Sequence, residues 1–191
     1  MTGLPGSGKG VFSKEAEQLG LHVLVMGDVV REETVRQGLP LTSRNLSIVA
    51  NSLREKYGRE AIAVLLSEKI KSLETRFVVV DGVRSLDEVA VFEELGEACI
   101  VAFHASPATR MERIIRRGRP GDPRSWEEFV ERDLVELSWG VGNVIALADY
   151  LVVNESTEEK AAEASRRILR ELIDGEWRSC SRGRGKAYRR R

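Results

Sequence analysis

Gly3-Leu4-Pro5-Gly6-Ser7-Gly8-Lys9-Gly10 decides the fold of this chain. The spacing of Gly3, Gly8 and Lys9 is that of a phosphate-binding loop, Gly-x-x-x-x-Gly-Lys. Glycines let the backbone curl so that successive N–H groups point at phosphate oxygens, and the following helix adds the positive end of its dipole to the same anion. Lys9 supplies a compact, mobile charge for the outer phosphates. Gly3, Gly6, Ser7, Gly8, Lys9, Gly10 and Val11 are therefore the expected contacts to ATP. The frame normally continues with Ser or Thr, whose hydroxyl ligates Mg²⁺. Here Gly10 and Val11 follow, and Ser7 and Ser13 are the nearest hydroxyls. The metal is then left to water, phosphates and a carboxylate from elsewhere, which suits an ion that dehydrates reluctantly.

A buried parallel strand leads into such a loop, yet only Met1 and Thr2 precede Gly3. That strand is central, so shortening it leaves a gap inside the sheet rather than a trimmed edge. The functional protein is expected to begin roughly four to eight residues upstream of Met1. Further along, four short apolar runs read as strands covered on both faces: His22–Met26, Arg76–Val80, Ala98–Phe103 and Tyr150–Val153. Helical periodicities alternate with them, which argues for an α/β domain with a mostly parallel sheet. Leu46, Val49, Ala50 and Leu53 repeat at helical spacing with Tyr57 one turn on, and Thr42 or Ser43 can cap that helix. Ile62, Leu65, Leu66, Ile70 and Leu73 form a second such face. Residues 28–75 thus hold two or three helices, more than a crossover needs, and are expected to form an arm beside the sheet. Gly118–Arg124 (GRPGDPR) is a loop, expected to belong to a short lid over 116–126. Trp126, Phe129, Val130, Leu134 and Leu137 follow it on one helical face.

With 191 residues, 42% of them hydrophobic and 31% charged, the chain suits one domain with a substantial core, over 1–177. No apolar run approaches the ~20 residues of a membrane helix, and the Gly-rich start has no signal-peptide pattern. Cys99 and Cys180 show neither disulfide nor metal spacing, and a reducing cytoplasm is the expectation. Seven of the 30 basic residues and none of the 30 acidic ones lie in 178–191. This tail is poor in apolar residues, is expected to be disordered, and offers a weak contact for RNA or another polyanion, or merely a solvated end.

Two pairs sit at the carboxyl ends of predicted strands, where open α/β sheets bind ligands. Asp28 and Arg31 lie in Gly27-Asp28-Val29-Val30-Arg31, and Asp81 and Arg84 in Asp81-Gly82-Val83-Arg84. Arginine grips phosphate with its planar fork, and a carboxylate holds Mg²⁺ through water or orients an attacking group. Asp81, ending an apolar strand, is the expected metal residue. The alternatives are a helix N-cap for Asp28 and surface ion pairs for the arginines. Arg110, Arg113, Arg116, Arg117 and Arg119 follow the next strand. Arg113 and Arg117 share a helical face and suit a lid that closes over a triphosphate, with Arg132 joining from the far side.

Together these segments resemble the nucleoside-monophosphate kinase superfamily. The loop is similar to that of adenylate kinases, which also place Gly directly after the Lys but then Thr where this chain has Val11. Gly-Asp-Val-Val-Arg resembles the family's Gly-Asp-x-x-Arg, whose Arg holds the acceptor phosphate. Asp-Gly-Val-Arg is one residue shorter than the family's Asp-Gly-Phe-Pro-Arg, and Glu112–Arg117 is similar to the arginine helix that leads into the lid. Ala148–Asn154 (ADYLVVN) resembles the end of dephospho-CoA kinases. Residues 3–170 are similar overall to an archaeal family of predicted nucleotide kinases. The resemblance implies a P-loop α/β/α fold with a five-stranded parallel sheet in order 2-3-1-4-5, its first strand largely missing. It implies a phosphotransferase using ATP and Mg²⁺, with Lys9, Asp81, Arg113 and Arg117 as catalytic groups and Asp28, Arg31, Arg84 and Arg132 around a small phosphorylated acceptor. The rival is a nucleotide-binding regulator or RNA-associated NTPase without fast turnover, towards which Val11 and the basic tail lean.

Overall fold

The computed structural model describes residues 1–119, 121–175 and Cys180. All four apolar runs contain strands: β1 His22–Val25, β2 Val78–Asp81, β3 Val101–His104 and β4 Tyr150–Val153. β1 pairs with β2 and β3 with β4, both parallel. Two residues join these halves. Thr2 forms a parallel bridge to Ala102, its N–H donating to the Val101 carbonyl (2.9 Å) and its carbonyl accepting from the Phe103 N–H (3.0 Å). On the other side the Met1 carbonyl accepts from the N–H groups of Gly82 and Val83, each at 3.2 Å. The Thr2 hydroxyl, wholly buried, donates to the Val83 carbonyl at 2.7 Å. The spatial order is thus β1-β2-(Met1–Thr2)-β3-β4, the expected order with its middle member reduced to two residues. A cavity of about 480 Å³ lies at the amino ends of β2 and β3, walled in part by Met1, Phe12, Val79, Phe92, Ile100 and Leu169.

Helices cover the sheet as the periodicities require. α1 (Lys9–Gln18) and α9 (Glu158–Ile173) pack on one side, where Phe12 meets Phe103 edge to face at 6.0 Å. Between β1 and β2 come α2 (Met26–Arg36), α3 (Ser43–Tyr57) and α4 (Ala61–Lys71). They share a core of Met26, Val29, Val49, Leu53, Ile62 and Leu66. Thr42 caps α3, its hydroxyl accepting from the Asn45 N–H at 3.2 Å. Tyr57 stays 61% exposed and Leu65 46%, so the apolar faces are narrower than the spacing suggests. α5 (Leu86–Glu93) follows β2, α6 (Pro107–Arg117) follows β3, and α7 (Trp126–Trp139) and α8 (Val141–Ala146) precede β4. None of the described helices is long and apolar enough to cross a membrane.

Two expectations are corrected. The apolar stripe of α7 is turned mostly to solvent: Trp126, Val130, Leu134 and Leu137 are exposed, and of the stripe Phe129 alone is buried, together with Glu136. The cause is the set of arginines beneath it. A buried guanidinium without a carboxylate is costlier than a few exposed aliphatic groups, so the acidic edge of α7 turns inward. The second correction concerns the cysteines, which form a disulfide, Cys99–Cys180, with Cα atoms 5.1 Å apart. They lie 81 residues apart in sequence, and only the return of the chain after α9 to the segment entering β3 brings them together. Apart from Cys180, the tail expected to be disordered lies outside the described residues.

A cross-link over so long a loop stabilises mainly by restricting the unfolded chain, by about 2–5 kcal/mol. Cys180→Ser is expected to lose an amount in that range in denaturant unfolding, and reducing the unsubstituted protein is expected to cost the same.

Candidate active site

The phosphate loop is built from backbone that only glycine adopts cheaply. Gly6 and Gly8 have φ of 82° and 96°. A Cβ on Gly6 would lie 2.7 Å from the Arg110 carbonyl oxygen, and one on Gly8 would lie 2.1 Å from Asn154 Nδ2. Turning N–H groups into the cradle leaves carbonyls facing outward into protein, and each needs a donor. Lys9 Nζ donates to the Gly3 carbonyl (2.6 Å), Arg110 Nη1 to that of Pro5 (3.2 Å), and Asn154 Nδ2 to that of Ser7 (3.0 Å). The loop is therefore clamped by α6 and by the end of β4. Val11 lies in the first turn of α1, its N–H donating to the Gly8 carbonyl at 3.0 Å. The Ser7 hydroxyl is buried with no hydrogen-bond partner among the described residues.

Arg110 is held as a structural clamp. Its side chain is 3% exposed, forks onto both oxygens of Asp133 (2.8 and 2.6 Å), donates to the Ala105 carbonyl, and stacks over Phe129 at 4.8 Å. Arg113, one turn on, is different. Its Nη2 reaches Asn154 Oδ1 (3.4 Å) and the Ser156 carbonyl (3.3 Å), while its buried Nη1 has no hydrogen-bond partner among the described residues. Nη1 lies 3.9 Å from where a Cβ on Gly8 would stand, beside the cradle. Arg117 and Arg132 converge from α6 and α7 on one carboxylate, Asp122.

Lys9 is half-buried at the head of α1. Burial lowers its pKa, and the carboxylates of Asp81 and Glu136 work against that shift. Asp81, at the end of β2, accepts from the Ser13 hydroxyl at 3.2 Å. This pair is the place where a divalent ion on ATP can be held through water, since Gly10 offers no hydroxyl. Gly10 is exposed, and a Cβ there would meet nothing within 4 Å. The residues present thus fit Mg²⁺·ATP: a cradle, an unpaired hydroxyl, an unpaired guanidinium nitrogen and an acid beside the lysine.

On the arm side, Asp28 is the third residue of α2, whose N-cap is Val25, so it does not cap the helix. It pairs with Arg31, and both side chains are about half exposed, at 53% and 49%. Arg84 forks onto Glu136 of α7, with Nη2 to Oε1 at 3.1 Å. Trp139 lies between the guanidinium groups of Arg54 and Arg84, 4.4 and 5.3 Å from its ring centre, and its indole N–H donates to Asn51 Oδ1. Arg54 pairs with Glu88, a fully buried acid whose pKa burial pushes up and Arg54 pulls back. The structure thus brings Asp81, Arg84, Arg113 and Arg117 near Lys9 and the loop, and joins Arg132 to Arg117 through Asp122, whereas Asp28 and Arg31 are paired with each other on α2. Glu136, Trp139 and Arg54 carry no local motif, and Asn154, though it ends the segment ADYLVVN, takes no role from that resemblance. Their signal is positional only, a polar residue just past a strand and a carboxylate interrupting an apolar helix.

A protein-family model described as an AAA domain matches residues 2–130. A UPF0200 protein of Hyperthermus butylicus is 58% identical over 171 residues, covering 89% of this chain and 92% of that one. A UPF0200 protein of Methanocaldococcus jannaschii is 44% identical, over 91% of this chain and 89% of the relative. Among solved structures, a shikimate kinase from Bacteroides thetaiotaomicron superposes with a TM-score of 0.56 at 17% identity, over 91% of this chain and 96% of that one. A gluconokinase from Sinorhizobium meliloti gives 0.54 at 18% identity, over 92% and 93%. At these identities the likeness establishes the fold, that of the P-loop kinases.

The two neighbouring arginines of α6 should separate cleanly. Arg110→Ala leaves Asp133 buried and unpaired and is expected to cost about 3–5 kcal/mol of folding stability. Arg113→Ala is expected to leave the unfolding midpoint nearly unchanged and to weaken ATP binding, as calorimetric titration would measure.

Proposed function

The chain belongs to the UPF0200 family, and on that premise we propose that it is a Mg²⁺-dependent phosphotransferase. It moves the γ-phosphate of ATP to a small phosphorylated acceptor, a nucleoside monophosphate or a compound like dephospho-CoA. The observation that carries this reading is the convergence of cations from α1, α6, α7 and the β2–α5 turn on one glycine cradle, opposite a strand-end aspartate. Phosphoryl transfer needs positioning and neutralisation of spreading charge more than covalent chemistry. Lys9, Arg113 and Arg117 hold the donor phosphates, with Gly3, Gly6, Ser7, Gly8, Gly10 and Val11 shaping their bed. Asp28, Arg31 and Arg84 face the acceptor beneath the arm of α2–α4, and Arg132, which shares Asp122 with Arg117, stands where the transferred phosphate passes from donor to acceptor. Mg²⁺, when bound with ATP, adds Lewis-acid charge at the outer phosphates, and Asp81 with Ser13 is the pair that would hold it. We place this reaction in the cytoplasm, where ATP is abundant, within one domain over 1–177.

Lys9→Ala is the first test: ATP binding should weaken and turnover should vanish with the fold intact. Purified protein with ATP, Mg²⁺ and a panel of monophosphates plus dephospho-CoA should show at least a tenfold acceptor-dependent gain in ATP consumption. Slow hydrolysis indifferent to every acceptor, or stimulated by RNA, would favour the regulator reading instead.

Arg31→Ala should raise KM for the acceptor far more than for ATP. Loss of a charged hydrogen bond costs about 1.5–3 kcal/mol, roughly tenfold to over a hundredfold. Equal effects on both substrates would take Arg31 out of the acceptor site. Gly10→Ser restores the usual hydroxyl in open space, and the Mg²⁺ concentration giving half-maximal rate is expected to fall severalfold.

A further inference from the structure

Asp122 is the one acid of the loop Gly118–Arg124, and its surroundings are those of a bound anion. Oδ2 accepts from Arg117 Nε (2.7 Å) and from the Arg119 N–H (3.1 Å). Oδ1 accepts from Arg117 Nη2 (2.7 Å) and from Arg132 Nη1 (3.2 Å). The side chain is 9% exposed, whereas the two arginines are about one-third exposed, at 30% and 33%. A simple ion pair needs one cation. Here two guanidinium groups from different helices and a backbone N–H share one carboxylate, a donor set that suits the several oxygens of a phosphate better than the two of an acid. Burial alone would raise the Asp122 pKa, but the Arg117 fork lowers it below the usual carboxylate value.

Location and anchoring distinguish this pair from the other arginine–acid pairs. Arg117 is close enough to Lys9 for its charge to depress the lysine pKa, and Arg132 acts in the same way on Glu136, which also feels Lys9. Arg117 also stands one turn beyond Arg113 on α6, and Arg113 Nη1 lies 3.9 Å from the place of a Cβ on Gly8, so the cluster lies near the phosphate loop. Arg110 and Arg84 are neutralised by Asp133 and Glu136, which are fixed in the middle of α7. Asp122 instead sits on a loop, next to Gly121 at φ 82°, whose carbonyl accepts from the Ser43 hydroxyl of the arm at 2.7 Å. A carboxylate on a loop can leave; one in a helix interior cannot leave without unfolding a turn.

We propose that Arg117, Arg132 and the Arg119 N–H form a subsite for the terminal phosphate of a polyphosphate chain, and that the Asp122 carboxylate is its resident anion, displaced when that phosphate binds. The proposal rests on the phosphate-loop reading of the site. The carboxylate keeps two like charges together at rest and sets the affinity of the donor as a difference between two anions. A ligand ending one phosphate short does not reach the subsite and does not compete.

Calorimetric titration of the full chain and of Asp122→Asn with ATP, inorganic tripolyphosphate and AMP tests it. The variant is expected to bind ATP and tripolyphosphate about tenfold or more tightly, the range for freeing charged donors from a competitor, with AMP unchanged. Arg132→Ala in the same background should erase the gain. Wild-type protein that binds ATP, with a variant that binds it no better, would overturn the displacement and make Asp122 a support for the arginines. Wild-type protein that binds neither ATP nor tripolyphosphate would sink the phosphate-loop reading itself, and this proposal with it. A second readout needs no variant: carbodiimide labelling of Asp122, followed by mass spectrometry, should rise when ATP is added to the wild-type chain. Labelling that stays level or falls would refute displacement.

Discussion

Everything in this molecule depends on satisfying the outward carbonyls of a six-residue turn. A backbone that offers its N–H groups to an anion must point its C=O groups the other way, and in a buried loop those groups cannot be left to water. Lys9 takes the first of them, Arg110 the next and Asn154 the last. Those donors stand on α1, α6 and the end of β4, and the last two are more than 100 residues away in sequence. The need propagates outward. A buried Arg110 requires Asp133; Asp133 requires that α7 present its acidic edge inward; and that rotation carries Glu136 to Arg84 and Trp139 to Arg54 and Arg84. The exposure of Trp126, Val130, Leu134 and Leu137 is the cost of that chain of obligations.

Charge is distributed unequally around the cradle. On the arm side three arginines meet acids of this chain: Arg31 meets Asp28, Arg84 meets Glu136 and Arg54 meets Glu88. On the donor side Arg113 hydrogen-bonds only to neutral groups, Asn154 and the Ser156 carbonyl, with Glu155 close enough to feel its charge, and Arg117 shares its acid with Arg132. Positive charge in excess of local acids is thus concentrated where a triphosphate would carry the most negative charge. On the proposed reading, an acceptor phosphate on the arm side would exchange with a carboxylate, which would favour selectivity over raw affinity, because a ligand unable to replace the acid leaves a satisfied ion pair untouched.

The fold was largely legible in the sequence because its signals are local. Four apolar runs gave four strands within two or three residues, and the cap expected at Thr42 or Ser43 fell at Thr42. The order of the sheet followed from the resemblance and from the position of the glycine loop, and Met1–Thr2 hold the central place that this order assigns to them. What escaped is non-local. The helical spacing of α7 points to its apolar face, and no pattern within that helix reveals that Arg110 and Arg84 wait below it. Asn154 looks like the polar end of an edge strand until Ser7 is placed beside it. The cysteines carry no spacing rule, and only the return of the chain after α9 makes them neighbours. The residues proposed to act on bound phosphate were visible as Gly, Lys and Arg in sequence, whereas the residues that hold those in place were not.

The absence of a hydroxyl at Gly10 is consistent with the rest of the site once Ser13 is considered. One helical turn further into α1, Ser13 donates to Asp81, tying the first helix to the end of β2. A hydroxyl directly after Lys9 would bind the metal itself. A hydroxyl bound to the aspartate instead orients an acid that acts through water, which asks less dehydration of Mg²⁺ and places less demand on exact geometry. On the proposed reading, the open space at Gly10 would leave room for the water of a metal bound with ATP. A glycine in the first turn costs α1 only about 1 kcal/mol relative to alanine, small beside the buried pairs that hold the loop. Stability at this site is concentrated in Arg110, Asp133 and Asn154. The residues nearest the phosphates are left free of that duty, and so are available to change partners when a ligand arrives.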